Sequence, residues 1–388
     1  MLYTFVKYFV RSALVIYCRK IIFTNRNLLN TKGPLLLACN HPNSFFDAIL
    51  LGAFFKQPVH FLARGDAFKK PFAKRVLTAL KLIPIYRLKE GKEYLALNDA
   101  TFERCAEILT AGGIVLIFSE GLCENKWSLR QLKKGSARIA LNAWKQPGIA
   151  GSFRILPASL NYSTFTRFRK RVIIDFGIPI VKSDIIKENE GEQIVELNRL
   201  IYTRLEKGLL IEEEDSAAIQ FLLTNTGTIK GDLSNAIACL KEKQKVLSTN
   251  NFKQVFRRLT GTKKVAFNNT SFLLDLALSI ILLVPAFIGL ITHLPFYLPL
   301  NTLIKKKTQG TVFYHSALFV VSMLIYPFYL LTLTVILIVT LNDLFLLATL
   351  ILMPASALVF LAWNDRLEKV VNHVKLSKGE RLLLQKSS

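Results

Sequence analysis

The chain has 388 residues, which exceeds one typical domain and is enough to bury a full α/β core. Lysine and arginine outnumber acidic residues by 51 to 27, which gives a net charge of +24. Because the sequence contains no recognisable nucleic-acid module, this charge favours anionic membrane lipids, not nucleic acid, as partners. The five cysteines show neither C-x-x-C nor metal-ligand spacing, and their odd number argues against a disulfide framework, so we expect no metal and a reducing environment.

The N-terminal segment from Leu2 to Phe23 is apolar but is interrupted by Lys7 and Arg11. It has no small-residue cleavage site, which argues against a signal peptide. Aromatic residues that alternate with basic ones are typical of a helix lying in a membrane interface. The sequence therefore predicts an interfacial membrane helix over residues 1–28.

Between Pro34 and Gly177, short apolar runs alternate with segments of helical pattern. The predicted strands are Leu35–Cys39, Val59–Ala63, Leu82–Tyr86, Ile114–Phe118, Ile155–Asn161 and Val172–Phe176. The predicted helices lie near Ser44–Phe55, Ala67–Leu80, Lys92–Ala111 and Ser128–Trp144. This alternation predicts an α/β domain over residues 29–183, with a mostly parallel sheet flanked by helices. Sites in such folds collect at the carboxyl ends of strands, where His41, Arg64, Arg87 and Glu120 fall.

His41 and Asp47 form the most informative pair in the chain, because they flank the turn between the first predicted strand and the helix that follows. A carboxylate beside a histidine fixes the imidazole tautomer and stabilises the imidazolium, so the pair could act as a base and its orienting group. The alternative is structural: Ser44 and Asp47 have the spacing of a capping box, in which Asp47 would only cap its own helix.

The rest of the chain changes character twice. Residues 184–264 are charged and of helical pattern, which predicts a helical connector. Residues 265–365 contain three long stretches without a charged side chain and predict membrane segments, followed by a basic tail over 366–388. The uncharged stretches run from Leu276 to Ile304, from Thr308 to Asn342 and from Leu344 to Asn364.

The membrane topology depends on the basic run Lys305–Lys307, which the positive-inside tendency places on the cytoplasmic side. We therefore expect Phe272–Leu300 to form a re-entrant or interfacial hairpin bent at Pro285 and Pro295. Two spans near Ala317–Thr340 and Phe345–Trp363 then return the tail to the cytoplasm. A third true span in place of the hairpin is the alternative.

A series of short motifs follows His41 and Asp47 in order along the chain. They are Phe61-Leu62-Ala63-Arg64, Ile83-Pro84-Ile85-Tyr86-Arg87, Phe118-Ser119-Glu120-Gly121, Leu132-Lys133-Lys134-Gly135 and Ile155-Leu156-Pro157-Ala158. Over residues 30–180 this series resembles the phospholipid/glycerol acyltransferase superfamily, the lysophosphatidic acid acyltransferase-like proteins. The chain differs in two places: five residues instead of four separate His41 from Asp47, and Ser119 replaces a proline. An added loop residue before the helix can be absorbed without turning Asp47 away.

The resemblance implies that His41 and Asp47 are catalytic. Acyl transfer from a thioester to an alcohol needs a base, which His41 can supply, and no G-x-S-x-G nucleophile elbow occurs. A glycerol phosphate group needs fixed cations, for which Arg87 is the first candidate and Arg64 and Lys134 are weaker ones. Glu120, followed by Gly121, can accept a hydrogen bond from a polyol hydroxyl.

The expected function is therefore transfer of a fatty acyl chain to a glycerol-3-phosphate or lysophosphatidic acid hydroxyl in phospholipid synthesis. The co-substrate would be acyl-CoA or acyl-carrier protein, with no other cofactor, and the active site would lie on the cytoplasmic face of a membrane. Two alternatives remain: remodelling of other lysophospholipids, and a non-catalytic membrane-surface protein that retains the fold.

Overall fold

Apolar runs of four to nine residues pair into one seven-stranded sheet. The computed structural model describes residues 2–86, 96–210, 269–343 and 347–385. The chain divides into two units, one of Met1–Asn250 with Gly310–Ser316 and one of Asn251–Gln309 with Ala317–Ser388. The sheet lies in the first unit.

The strands are paired in the order β1-β7-β6-β2-β5-β3-β4, and every pair is parallel except β6 with β7. Their bounds are β1 Cys18–Phe23, β2 Leu35–Cys39, β3 Val59–Arg64, β4 Leu82–Ile85, β5 Ile114–Phe118, β6 Arg154–Tyr162 and β7 Lys170–Phe176. The predicted α/β fold with a mostly parallel sheet is confirmed. Every side chain of β2 is buried, because neighbours flank it on both edges and helices cover the sheet.

Strand β1 corrects the prediction for the N-terminal segment. A helix does begin the chain, but it ends at Tyr17, and Cys18–Phe23 then pairs in parallel with β7. The sequence assigned these residues to an interfacial helix, because no glycine or proline separates them from the helical segment before them. Arg19 and Lys20 obscured the strand pattern, and β1 tolerates them because it is an edge strand of the sheet that the described residues form.

Helices pack on the sheet within the first unit. Their bounds are α1 Leu2–Tyr17, α2 Phe45–Phe54, α3 Pro71–Ala79, α4 Leu97–Thr110, α5 Gly135–Lys145 and α6 Glu190–Gly208. Helix α5 begins seven residues later than the predicted Ser128, so a long loop separates β5 from α5. This loop carries Glu120 and Arg130, which matter below.

Helix α6 belongs to the core of the sheet unit, which corrects its assignment to a separate connector. Leu197, Ile201 and Leu205 are fully buried at a spacing of four residues, so they form one helical stripe. They join a hydrophobic cluster that includes Ile155 and Ile180. The remainder of the predicted connector, residues 211–264, lies outside the described residues.

The described part of the second unit is helical, with α7 Asn269–Ile281, α8 Leu283–Lys307, α9 Tyr314–Leu341 from Ala317 onward, and α10 Thr349–Gln385. The helical stretches Leu283–Lys307, Tyr314–Leu341 and Thr349–Glu368 are long and apolar enough to cross a membrane.

The helix break lies three residues before the predicted bend at Pro285, and the bend at Pro295 stays a prediction. The helix breaks at Leu282, Pro285 fits the first turn of α8, and α8 continues through Pro295. Asp275, a charge within the apolar segment, is paired with Arg366 at 2.8 Å.

Candidate active site

The parallel register brings the ends of three strands to one edge of the sheet. Cys39, the last residue of β2, is aligned with Phe118 at the end of β5 and with Ala158 in β6. His41 and Glu120 follow β2 and β5 directly, so they emerge side by side. This edge is where sites form in open α/β sheets, because loops and helix N-termini converge there.

His41 and Asp47 are in direct contact. Nδ1 of His41 lies 2.9 Å from Oδ2 of Asp47, which is in the first turn of α2. The Asp47 side chain is fully buried, whereas that of His41 keeps 17% of its surface exposed. Ser44 has φ 55°, a conformation rare for non-glycine residues, and this turn accommodates the fifth intervening residue. The insertion is therefore absorbed in the loop, as predicted.

The capping-box alternative is wrong. The Ser44 side chain makes no capping hydrogen bond to α2, so the reciprocal pair of bonds that defines the box does not form. Asp47 Oδ2 instead accepts the backbone N–H of Asn43 at 2.8 Å, and its Oδ1 accepts the Tyr162 hydroxyl at 2.5 Å. Three donors thus hold the buried carboxylate in one orientation toward His41.

Phe118 packs against one face of the His41 ring. The two rings are stacked with centroids 3.8 Å apart and planes 10° from parallel. Because a carboxylate only accepts hydrogen bonds, Nδ1 carries the proton and Nε2 is the basic nitrogen. Nε2 forms no hydrogen bond to any described residue, so it can take a proton from a substrate.

Glu120 holds the backbone of the His41 loop. Its Oε1 accepts the N–H of His41 at 2.7 Å, and its Oε2 accepts Nε of Arg130 at 2.6 Å. Only 4% of the Glu120 side chain is exposed. The structure thus gives Glu120 a positioning contact that the sequence did not predict, and its expected contact with a polyol hydroxyl stays a prediction.

Gly121 is required by the turn that follows Glu120. Its φ is +69°, and its N–H donates to the carbonyl of Phe118 at 3.0 Å. A Cβ here would lie 2.9 Å from Cγ of Lys133. This tight turn directs the Glu120 carboxylate back toward the His41 loop.

Replacing Glu120 with glutamine is expected to lower the free energy of unfolding by about 1–3 kcal/mol. The NH2 group of glutamine would face either the His41 N–H or Arg130 Nε, and that donor would lose its acceptor. Denaturant unfolding of the full chain measures this. Glu107→Gln is the matched control: its ion pair with Arg104 leaves both side chains more than half exposed and should contribute less than about 1 kcal/mol. Equal losses in the two variants would contradict the positioning role.

Among the described residues, no hydrogen bond or ion pair joins His41 to the basic residues predicted to bind phosphate. Arg64, at the end of β3, is exposed and forms an ion pair with Asp66. Lys134 is exposed at the start of α5. Arg87 lies outside the described residues, although Tyr86 before it is held by two 2.9 Å hydrogen bonds to the Asn98 side chain. Their phosphate contacts stay predictions.

Sequence reasoning missed three residues of the site: Arg130, Tyr162 and Ser316. Tyr162 ends β6, and its role depends on β6 lying beside β2, which motif order does not reveal. Ser316 belongs to Gly310–Ser316, which the sequence assigned to the membrane part but which is grouped with the sheet unit. The Ser316 hydroxyl donates to the carbonyl of Asn43 at 3.1 Å and accepts the N–H of Phe46 at 3.3 Å.

One comparison with known proteins, that with family models, agrees with the acyltransferase expectation. Residues 20–161 match the family model "Acyltransferase", a range that includes His41, Asp47 and Glu120. A comparison with curated proteins finds no match. A search of solved structures finds the crystal structure of the 1-acyl-sn-glycerophosphate (LPA) acyltransferase PlsC from Thermotoga maritima, with a TM-score of 0.38 and 16% identity over 52% of this chain and 76% of that one.

The family match covers the strand-to-helix turn of His41 and Asp47 as well as the turn of Glu120 and Gly121. These are the residues that the structure brings together at one edge of the sheet. The prediction of an acyltransferase is confirmed at the level of the family. Residues 20–161 of the chain thus match an acyltransferase domain.

Proposed function

We propose that this acyltransferase moves a fatty acyl chain from acyl-CoA or acyl-carrier protein to a hydroxyl of glycerol 3-phosphate or lysophosphatidic acid. The observation that carries the proposal is the His41–Asp47 pair, in which Nδ1 is engaged at 2.9 Å and Nε2 remains available. A base of this kind is what an alcohol acceptor requires before it can attack a thioester.

The reaction needs one proton to move twice. Nε2 of His41 takes the proton of the acceptor hydroxyl while the oxygen attacks the thioester carbonyl and a C–O bond forms. The buried Asp47 carboxylate stabilises the imidazolium that results. The C–S bond then breaks, and the imidazolium returns the proton to the leaving thiolate. Atoms and charge balance without a covalent enzyme intermediate.

Three features support a lipid substrate at the cytoplasmic face of a membrane. The chain has a net charge of +24, and a glycerol phosphate acceptor and a membrane of anionic lipids are both negatively charged. Three helices are long and apolar enough to span a bilayer. Lys305–Lys307 form the last turn of α8, where basic residues are typical of the cytoplasmic side.

A panel of donors and acceptors tests the proposal. Purified full-length protein in detergent is incubated with labelled acyl-CoA or acyl-carrier protein and with glycerol 3-phosphate, lysophosphatidic acid or lysophosphatidylcholine. We expect thioester-dependent transfer to an acceptor with a phosphate monoester. Transfer to lysophosphatidylcholine alone would favour phospholipid remodelling, and transfer to none of the acceptors by folded protein would overturn the proposal.

Arg87→Lys is expected to weaken the use of a phosphate-bearing acceptor. Lysine keeps the charge but loses the bidentate geometry with which a guanidinium binds phosphate. The KM for glycerol 3-phosphate or lysophosphatidic acid should rise about tenfold or more, since each 1.4 kcal/mol of lost binding is a factor of ten. Arg138→Lys, on the outer part of α5, is the control. An unchanged KM in Arg87→Lys would remove Arg87 from the site.

A further inference from the structure

Lys170 is a buried lysine at the same edge of the sheet as His41. Only 1% of its surface is exposed, although lysine is rarely buried without a partner. It begins β7, which runs antiparallel to β6, so the start of β7 lies beside the end of β6 at Tyr162. The topology therefore places a positive charge next to the residue that binds Asp47.

Aromatic rings surround the Lys170 ammonium. Nζ lies 5.1 Å from the ring centre of Phe46, 5.6 Å from that of Tyr162 and 5.8 Å from that of Tyr17. Its one described hydrogen bond goes to the carbonyl of Phe165 at 2.9 Å. A charge buried in this way is costly unless aromatic faces and nearby anions compensate for its lost hydration.

Two residues of this aromatic cage, Phe46 and Tyr162, also adjoin or contact Asp47. Phe46 precedes Asp47 in α2. The Tyr162 hydroxyl donates to Oδ1 of Asp47 at 2.5 Å while its ring faces Lys170. Burial, assisted by the Asp47 carboxylate, raises the pKa of Tyr162 well above its usual range, so the hydroxyl retains its proton and donates. The cation, the tyrosine and the carboxylate thus form one buried chain that ends at His41.

We propose that Tyr162 is a positioning residue for the His41–Asp47 pair and that Lys170 supplies a buried positive charge that balances the Asp47 carboxylate. This proposal rests on the proposed acyl transfer, which uses the same pair. The Asp47 side chain is fully buried, so bulk solvent does not reach its carboxylate. Its hydrogen-bond donors, Asn43, Tyr162 and neutral His41, carry no full charge, so a nearby cation is the natural compensation.

The charge of Lys170 predicts a pH dependence. Burial lowers the pKa of Lys170 from 10.5 to about 8, against the opposing effects of Cys18 and Asp47. The ammonium is therefore present below about pH 8 and lost above it. The kcat of the wild type should fall as the pH rises through this value. The titratable or charged groups around Lys170 are Tyr17, Cys18, Asp47, Tyr162, Arg169 and His315.

Two variants of the full chain test the proposal. Tyr162→Phe removes only the hydroxyl and is expected to lower kcat about ten- to a hundredfold, the range for a hydrogen bond to a charged group. Lys170→Met keeps the length of the side chain without the charge, and it should lower kcat and abolish the decline above pH 8. KM should change little in both, because neither residue is exposed to substrate. Tyr202→Phe, in helix α6, is the matched control.

A second readout is independent of turnover. The proton between Nδ1 of His41 and Asp47 gives a downfield NMR signal that His41→Ala removes and thereby assigns. Tyr162→Phe should move this signal, because Asp47 then loses one of the two donors that compete with the His41 N–H. Lowered kcat together with a moved signal supports the proposal. An unmoved signal, or a kcat within twofold of the wild type, overturns it.

The same signal separates this proposal from the proposed function. If the wild type transfers no acyl group to any acceptor in the panel, the proposed function fails. The NMR signal still decides whether Tyr162 and Lys170 set the state of the His41–Asp47 pair. A moved signal in Tyr162→Phe retains the positioning role of Tyr162, and an unmoved one removes it.

Discussion

Replacing His41 with alanine is expected to lower the rate of acyl transfer by about 10²–10⁴-fold, because Nε2 is the group that accepts the proton of the acceptor hydroxyl. The fold should survive. Asp47 keeps hydrogen bonds from Asn43 and Tyr162, so the free energy of unfolding should fall by no more than about 1–3 kcal/mol. Initial rates with labelled acyl thioester, together with denaturant unfolding, measure both effects.

His60→Gln is the matched control for His41→Ala. His60 lies near the start of β3, and its Nδ1 is 3.3 Å from the carbonyl of Ile114 at the start of β5. This is the amino end of the parallel strands, opposite the edge that carries His41. Acyl transfer should therefore be retained in His60→Gln. A similar loss of rate in both variants would show that the effect of His41→Ala is not that of a catalytic base.

Asp47→Asn is expected to lower turnover by about 10²–10⁴-fold while retaining much of the geometry. An amide oxygen can still accept from His41 and Asn43, and the Tyr162 hydroxyl can rotate to accept from the amide nitrogen. What the variant lacks is the negative charge that stabilises the imidazolium. The loss should appear in kcat more than in KM, which steady-state kinetics with a varied acceptor can separate.

Asp99→Asn provides the comparison for Asp47→Asn, because Asp99 also lies in the first turn of a helix, α4, but is exposed. It should leave turnover unchanged and cost at most about 1 kcal/mol through the helix dipole. Normal turnover in Asp47→Asn combined with a lowered melting temperature would mean that Asp47 serves the loop and its helix, not the reaction.

Much of the fold could be predicted because its signals are local. Short apolar runs bounded by turns identified β2 to β7, since buried parallel strands are continuously apolar. Strand β1 was not predicted, because Arg19 and Lys20 interrupt the apolar pattern of this edge strand. Helix α6 was recognised as a helix, but its place in the core depends on contacts with strands over 40 residues away in the chain.

The same division holds within the site. The chain itself determined that a histidine and a carboxylate flank one turn, that Glu120 precedes a glycine at the end of β5, and that long uncharged helices follow. These features depend on residues close together in sequence. The one-residue difference in the motif leaves His41 and Asp47 in contact, because Ser44, with φ 55°, lies before α2 and Asp47 stays on its helix.

Only the tertiary structure decided what surrounds the pair. Tyr162 lies 115 residues from Asp47 in the chain, and Ser316 lies 273 residues from Asn43, so no local pattern could connect them. The strand order of the sheet brings Tyr162 to Asp47. The packing of Gly310–Ser316 within the sheet unit brings Ser316 to Asn43. Burial determines the remaining contacts of Asp47. A carboxylate that solvent does not reach must take its hydrogen-bond donors and its counter-charge from the elements that the fold places beside it.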